Sequence, residues 1–179
     1  MIQRTIKAWR RFRGDENGSV MLMEFAILSP LLFGCLLMSL EMSFYAMRHM
    51  FLDRGLDITV RYIRLNTNTE MTHQTIKDKI CESAVFLEDC KTTLRLEMIR
   101  VDPRNFATFD QTPDCVDTSE DPKPVRGWNL GVEHQLMLLR ACAQFEPFFP
   151  TTGLGYALKK DGAGRVSMVS SAAFVQEPN

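Results

Sequence analysis

The spacing of hydrophobic positions changes twice along the chain, from continuous to helical to alternating. From Met21 to Leu40 they are nearly continuous, with Glu24 as the only charge in twenty residues. At about 1.5 Å per residue such a helix spans roughly 30 Å, the thickness of a bilayer's hydrocarbon core. From Glu41 to Leu65 the run becomes periodic. Tyr45, Leu52, Leu56 and Ile63 recur at helical spacings, and Phe44, Phe51, Ile58 and Tyr62 broaden that face. Arg48, Asp53, Arg54, Asp57, Arg61 and Arg64 are expected around the rest. Pro30 is expected only to bend the helix, because neighbours in a membrane re-satisfy the freed carbonyl. Only Gly55 weakens the second half. The pattern predicts one rod, roughly 65 Å long if unbroken.

Beyond "NTNTE" the chain changes character. Thr72 to Phe86 reads as a short helix, with Thr72 as its cap and Ile76, Ile80 and Ala84 at spacing four. "TTLRLEMIRV" alternates at Leu94, Leu96 and Met98, then shifts phase at Ile99 and Val101, which predicts a strand with a bulge. Asp102 to Gly131, with four prolines and two glycines, reads as a long exposed loop. "EHQLMLLRACAQFEPF" is a second strand, and "YALKK-DGAG-RVSMVSSAAFV" two more about a Gly-rich turn. Met98, Leu136, Leu138 and Phe145 are expected in the core. The fold class is α+β: a long N-terminal transmembrane helix continuing into an amphipathic helix, then a small antiparallel sheet domain. The expected divisions are 1–18, a basic leader; 19–41, the membrane span; 42–66, the helical continuation; and 67–179, the α+β domain.

Charge bears on partners and topology. Lys and Arg number 21 and Asp and Glu 22, a net charge of -1, so there is no electrostatic footprint for nucleic acid. Arg4, Lys7, Arg10, Arg11 and Arg13 precede the span and favour a cytoplasmic N-terminus; Arg48, Arg54, Arg61 and Arg64 follow it, so this asymmetry is weak. Cys81, Cys90, Cys115 and Cys142 all fall in the downstream domain. An even number there suits two disulfides in an oxidising compartment, with Cys81–Cys90 the first choice by proximity. The alternative is four reduced, buried thiols. A cleaved secretory signal fits less well, because the apolar run exceeds the usual 7–15 residues and lacks a small-residue cleavage site. Cys35, within "LLFGCL", reads as a small hydrophobe of the helix.

Catalytic constellations do not emerge. His49, His73 and His134 are scattered, and no two share a helical turn. Asp114, Asp117, Glu120 and Asp121 lack the spacing of a calcium loop and read as a solvated segment. Cys81 and Cys90 stand too far apart for a redox or zinc C-x-x-C. "GLG" at Gly153–Gly155 reads as a turn rather than a phosphate loop. The expectation is no enzyme, no cofactor and no metal site.

Glu24 has two readings on position alone: an interfacial acid that snorkels to water, or a charge that needs a buried partner. A basic tail, "DENGS", an apolar helix with one early glutamate, a proline six residues later, a long helix and a cysteine-containing α+β domain together resemble the TadE/TadF-like minor pilins. These are pilin-like membrane proteins of the Tad (tight adherence) system, which builds Flp-type pili of the type IV class. The local likeness covers about Gly14 to Arg64, with "GSVMLMEFAILSPLLF" its specific part; "FEPFFP...SSAAFVQEP" extends it to the C-terminus.

The resemblance implies that Glu24 pairs with the freed N-terminal amine of a neighbouring subunit during assembly. It implies as partners the lipid bilayer, other pilin or pseudopilin subunits, the assembly machinery and a prepilin peptidase. It also implies a bacterial inner-membrane location with a periplasmic domain. Family members place the glutamate five residues after the processed glycine. Here it stands six after Gly18 and five after Ser19, so the cut falls after Ser19, or after Gly18 in a shifted register, or the leader is retained. The alternative function is a bitopic inner-membrane adaptor whose outer domain binds another protein and stays out of a filament. An anchored thiol oxidoreductase has only the cysteines in its favour.

Overall fold

Both helical patterns fold as a single element, α1 (Asn17–Leu65, 49 residues), with Pro30 inside it. The computed structural model describes residues 17–66, 69–105, 110, 112–120 and 123–178. The basic positions Arg4, Lys7, Arg10, Arg11 and Arg13 lie outside the described residues, as does Asp121. The described residues divide into two compact units, the first ending at Leu40 and the second beginning at Glu41. The second half of α1 thus belongs to the domain rather than forming a separate segment before it. The reason is burial: Leu52, Leu56, Val60 and Ile63 are core residues of the domain.

That stripe runs at the helical period, and two positions differ from expectation. Ile58 is 43 % exposed. It stands six residues after Leu52, about 120° round the helix, so it faces away. Arg48 is buried instead of exposed. It lies four residues before Leu52, on the stripe itself.

After α1 comes α2 (His73–Ser83), which begins where Thr72 accepts the Thr75 N–H at 3.2 Å, the cap expected from its sequence. It buries Ile76 and Ile80 and ends at Ala84, so Val85 and Phe86 fall in an exposed turn rather than in the helix. One helical turn, α3 (Cys90–Thr93), takes up residues expected to open the first strand. The sheet holds β1 (Arg95–Arg100), β2 (Leu136–Phe145) and β3 (Val166–Val175), antiparallel in that order. Pairing of β1 with β2 is unbroken from Arg95 opposite Cys142 to Arg100 opposite Met137, so the expected bulge is absent. The phase shift has another cause: Ile99 is half-buried on the face away from the core, and Val101 lies beyond the strand's end.

On β2 the odd positions Met137, Leu139, Ala141, Ala143 and Phe145 face the helices, and Leu96, Met98, Val166, Met168 and Phe174 flank them. Met98 and Phe145 are core, as expected. Leu136 and Leu138 are only half-buried, because strand alternation puts them on the opposite face. The strand expected over Tyr156 to Lys160 reduces to one bridge, Lys160 to Val166. Its first residues, with the "GLG" turn, form a short helix, α4 (Gly153–Ala157).

At Gly55 α1 packs closely on α2. A β-carbon there would stand 2.9 Å from the Ile80 carbonyl oxygen and 3.3 Å from Ile80 Cγ2. Alanine improves helix propensity by about 1 kcal/mol over glycine, but overpacking costs about 1–3 kcal/mol. Gly55→Val, whose added bulk meets backbone, is therefore expected to lower the thermal midpoint of the domain, read by circular dichroism.

Candidate functional site

In the first unit the side chains from Val20 to Leu40 are almost all exposed: Met21 is 75 % accessible, Ile27 72 % and Leu31 69 %. Such a surface is out of place in water, and α1 is the one described helix long and apolar enough to cross a membrane. Glu24 is exposed among these apolar side chains and has no hydrogen-bond or ion-pair partner among the described residues. Cys35 is a free thiol, also exposed. Gly18 and Ser19, the candidate processing residues, fall in the first turn of α1.

Within the second unit a different acid is buried. Glu41 is 3 % exposed, and its two carboxylate oxygens accept the N–H groups of Phe148 and Phe149, each at 3.1 Å. Two charge-assisted bonds offset the cost of burying the carboxylate. One turn on, the Phe44 ring stacks on Phe148 with centroids 4.5 Å apart. A further turn on, the Arg48 guanidinium lies 5.0 Å from the Phe145 ring centre and 5.6 Å from that of Phe148, and donates to the Glu146 carbonyl at 3.3 Å. Glu41, Phe44 and Arg48 thus clamp the segment that follows β2, and Tyr45 packs on Phe145 at the strand's end with ring centres 5.7 Å apart. Glu41, Tyr45, Arg48 and Leu52 are spaced four, three and four apart, so helical spacing was the available signal for the two buried charges. Their charge disguised it.

Over β1 and β2 the sheet's other face is polar and is covered by the long loop, whereas on β3 it is exposed at Ser167, Val169, Ser171, Ala173 and Val175. Arg95 donates to Asp114 (2.8 Å) and to the carbonyls of Lys123 (2.7 Å) and Pro124. Gln144 donates to the Val116 carbonyl, and Arg140 to that of Asp110 at 2.7 Å. Arg140 also meets Glu97 at 2.6 Å across the β1–β2 pair, a charge contact rather than an aligned hydrogen bond. Cys115–Cys142 fixes the loop covalently, and Cys81–Cys90 joins α2 to α3. On the chain-entropy account, closing loops of these sizes stabilises by about 3–4 and 2–3 kcal/mol respectively.

A pocket of about 410 Å³ opens where the loop meets α2, lined among others by His73, Lys77, Arg95, Asp114, Asp117 and Glu120. Burial, then the charges of Lys77 and Arg95, lower the pKa of His73; burial, then Arg95, lower that of Lys77. The acids are otherwise engaged: Asp114 by Arg95, Asp117 by Ser119, and Glu120 by Lys123. Among the described residues no group of three or more His, Cys, Asp or Glu side chains is placed to hold a metal ion. His49, His73 and His134 are not brought together: His49 sits against Asp53 and β3, His73 against Trp128, and His134 in the turn before β2.

At the turn before β3, Asp161 accepts the N–H groups of Ala163 and Arg165 and ties down Thr118 of the long loop. Burial alone would raise its pKa, but these donors outweigh that and hold it below the ordinary carboxylate value. A depressed pKa means stability that is present above the unfolded value and lost as pH falls through the folded one. The protection of the Thr118, Ala163 and Arg165 amides, each rate divided by the intrinsic exchange rate at the same pH, is therefore expected to fall on acidification below about pH 4, and Asp161→Asn should blunt that dependence. Glu41→Ala leaves two donors unpaired at about 1–3 kcal/mol each. It is expected to deprotect the Phe148 and Phe149 amides in hydrogen exchange, while Glu41→Gln, which keeps one acceptor oxygen, deprotects them less. Comparison with family models, curated proteins and solved structures finds no match for this chain.

Proposed function

We propose that the chain is a pilin-like membrane protein, a minor pilin or pseudopilin acting in assembly of a Tad/Flp-type pilus. The observation that carries this reading is the exposed apolar segment of α1 with Glu24 as its single charge, joined in one helix to a disulfide-braced α+β domain. A carboxylate inside an apolar surface is costly alone and tolerable when paired. Lateral packing of such helices brings a neighbour's ammonium to it. The two disulfides support a periplasmic domain, and hence an N-terminus on the cytoplasmic side of the inner membrane. Its partners in this reading are the bilayer, other pilin subunits, the assembly machinery and a prepilin peptidase acting at Gly18 or Ser19.

Glu24→Gln is expected to leave membrane insertion intact or slightly improved, because the transfer cost of the charge disappears. The domain should fold unchanged, since Glu24 lies outside its core. Lateral association should fall by two or more orders of magnitude, because breaking such a pair costs about 3–5 kcal/mol. Membrane level, crosslinked oligomers and surface pili are the measurements. Normal oligomers and normal pili from the variant would make Glu24 a bystander and put the adaptor reading ahead.

A further inference from the structure

Outside α1 the two most exposed aromatic rings among the described residues are Tyr156 (73 %) and Phe148 (54 %). They belong to one folded-back surface. Gly155 packs so tightly on the Phe149 carbonyl that a β-carbon there would stand 2.5 Å from its oxygen, which holds α4 against the segment following β2. Lys160 Nζ donates to the Pro150 carbonyl at 2.6 Å and lies 6.0 Å from the Tyr156 ring centre. Lys159 is exposed beside it; the acids that flank this segment are the exposed Glu146 and the half-buried Asp161, and Asp161 is taken up by Thr118, Ala163 and Arg165.

We infer that Phe148, Tyr156, Lys159 and Lys160 form a second membrane contact, a seat in the headgroup layer of a bilayer containing anionic lipid. The inference rests on reading residues 21–40 as the membrane span. Its other support is chain length. Phe148 stacks on Phe44, four residues after Leu40. Four residues cover about 6 Å as helix and at most about 14 Å extended, and the headgroup layer is roughly 5–8 Å deep on each side of the hydrocarbon. An aromatic ring held at that point is therefore within reach of the interface. Aromatic rings with one polar end favour that layer, and lysines beside them favour anionic headgroups.

Depth-dependent quenching tests this in the full chain. Trp9→Phe serves as the parent, with Trp128 a constant background, and Tyr156→Trp, Leu31→Trp and Val132→Trp are each added to it. Each is reconstituted in phosphatidylcholine vesicles, with or without phosphatidylglycerol, brominated either near the headgroup or near the chain end. Trp at 156 is expected to be quenched about twofold more by the shallow bromine than by the deep one, and more so with phosphatidylglycerol present. Trp at 31 should show the reverse depth order, and Trp at 132, in the turn at the far end of β2, should respond to neither. Lys159→Glu should remove the dependence on lipid charge. Deep quenching at 31 with none at 156 overturns the seat and leaves the span standing. No deep quenching at 31 overturns the span and the seat with it. Shallow quenching at 156 that ignores both lipid charge and Lys159→Glu overturns the role of the lysines.

Discussion

A strand buried on both faces must be met on each face by something that satisfies it, and β2 imposes that constraint on the whole domain. One face is apolar and is met by α1 and α2 through ordinary hydrophobic packing. The other carries Arg140, Cys142 and Gln144, with Arg95 and Glu97 beside them on β1. Among the described residues no helix lies there; an irregular, proline-bearing loop does. Such a loop has few apolar side chains and many backbone groups that need partners. Guanidinium and amide groups suit that task, since each donates to several carbonyls at once. Arg95 alone holds Asp114 and two loop carbonyls. The Cys115–Cys142 bridge adds a constraint that does not depend on loop composition.

This division explains which parts of the fold could be read from the chain. Apolar spacing specified α1, the inward stripe Leu52, Leu56 and Ile63, and the core positions Ile76 and Ile80, because burial against apolar neighbours leaves a periodic trace. The Thr72 cap was legible from its residue type and place. The loop-covered face was not, because Arg95, Glu97, Arg140 and Gln144 carry the same polar signature whether water or a loop lies over them. The phase of β2 was misjudged for the same reason. Leu136 and Leu138 share a face with Arg140, and only the tertiary cover distinguishes that face from the true core. The first strand of the expected C-terminal hairpin failed differently: α4 and the Asp161 turn consume its residues, and one bridge remains.

Glu24 and Glu41 separate two uses of the same side chain. In sequence Glu24 draws notice, because it interrupts an apolar run, whereas Glu41 looks like the ordinary polar end of that run. In the structure Glu41 is the satisfied acid, closed by the Phe148 and Phe149 amides, and Glu24 is the exposed one. An acid that already accepts two internal hydrogen bonds has little left to offer a partner. An acid on an apolar surface with none among the described residues has its whole charge to offer. On the proposed pilin reading Glu24 is thus the acid left for a partner, and Glu41 is a structural residue of the domain.

Glu41 also fixes where the domain begins. The clamp it opens continues through Phe44 and Arg48 onto Phe145 and Phe148, so folding of the domain requires α1 to be helical from that point onward. Removing α1 at Leu65 would strip Leu52, Leu56, Val60 and Ile63 from the core as well as the clamp. Large-to-small changes at such buried aliphatic sites cost about 2–5 kcal/mol each, against a total stability of roughly 5–15 kcal/mol. The sheet therefore does not stand without residues 41–65, whereas no described residue before Glu41 belongs to its core.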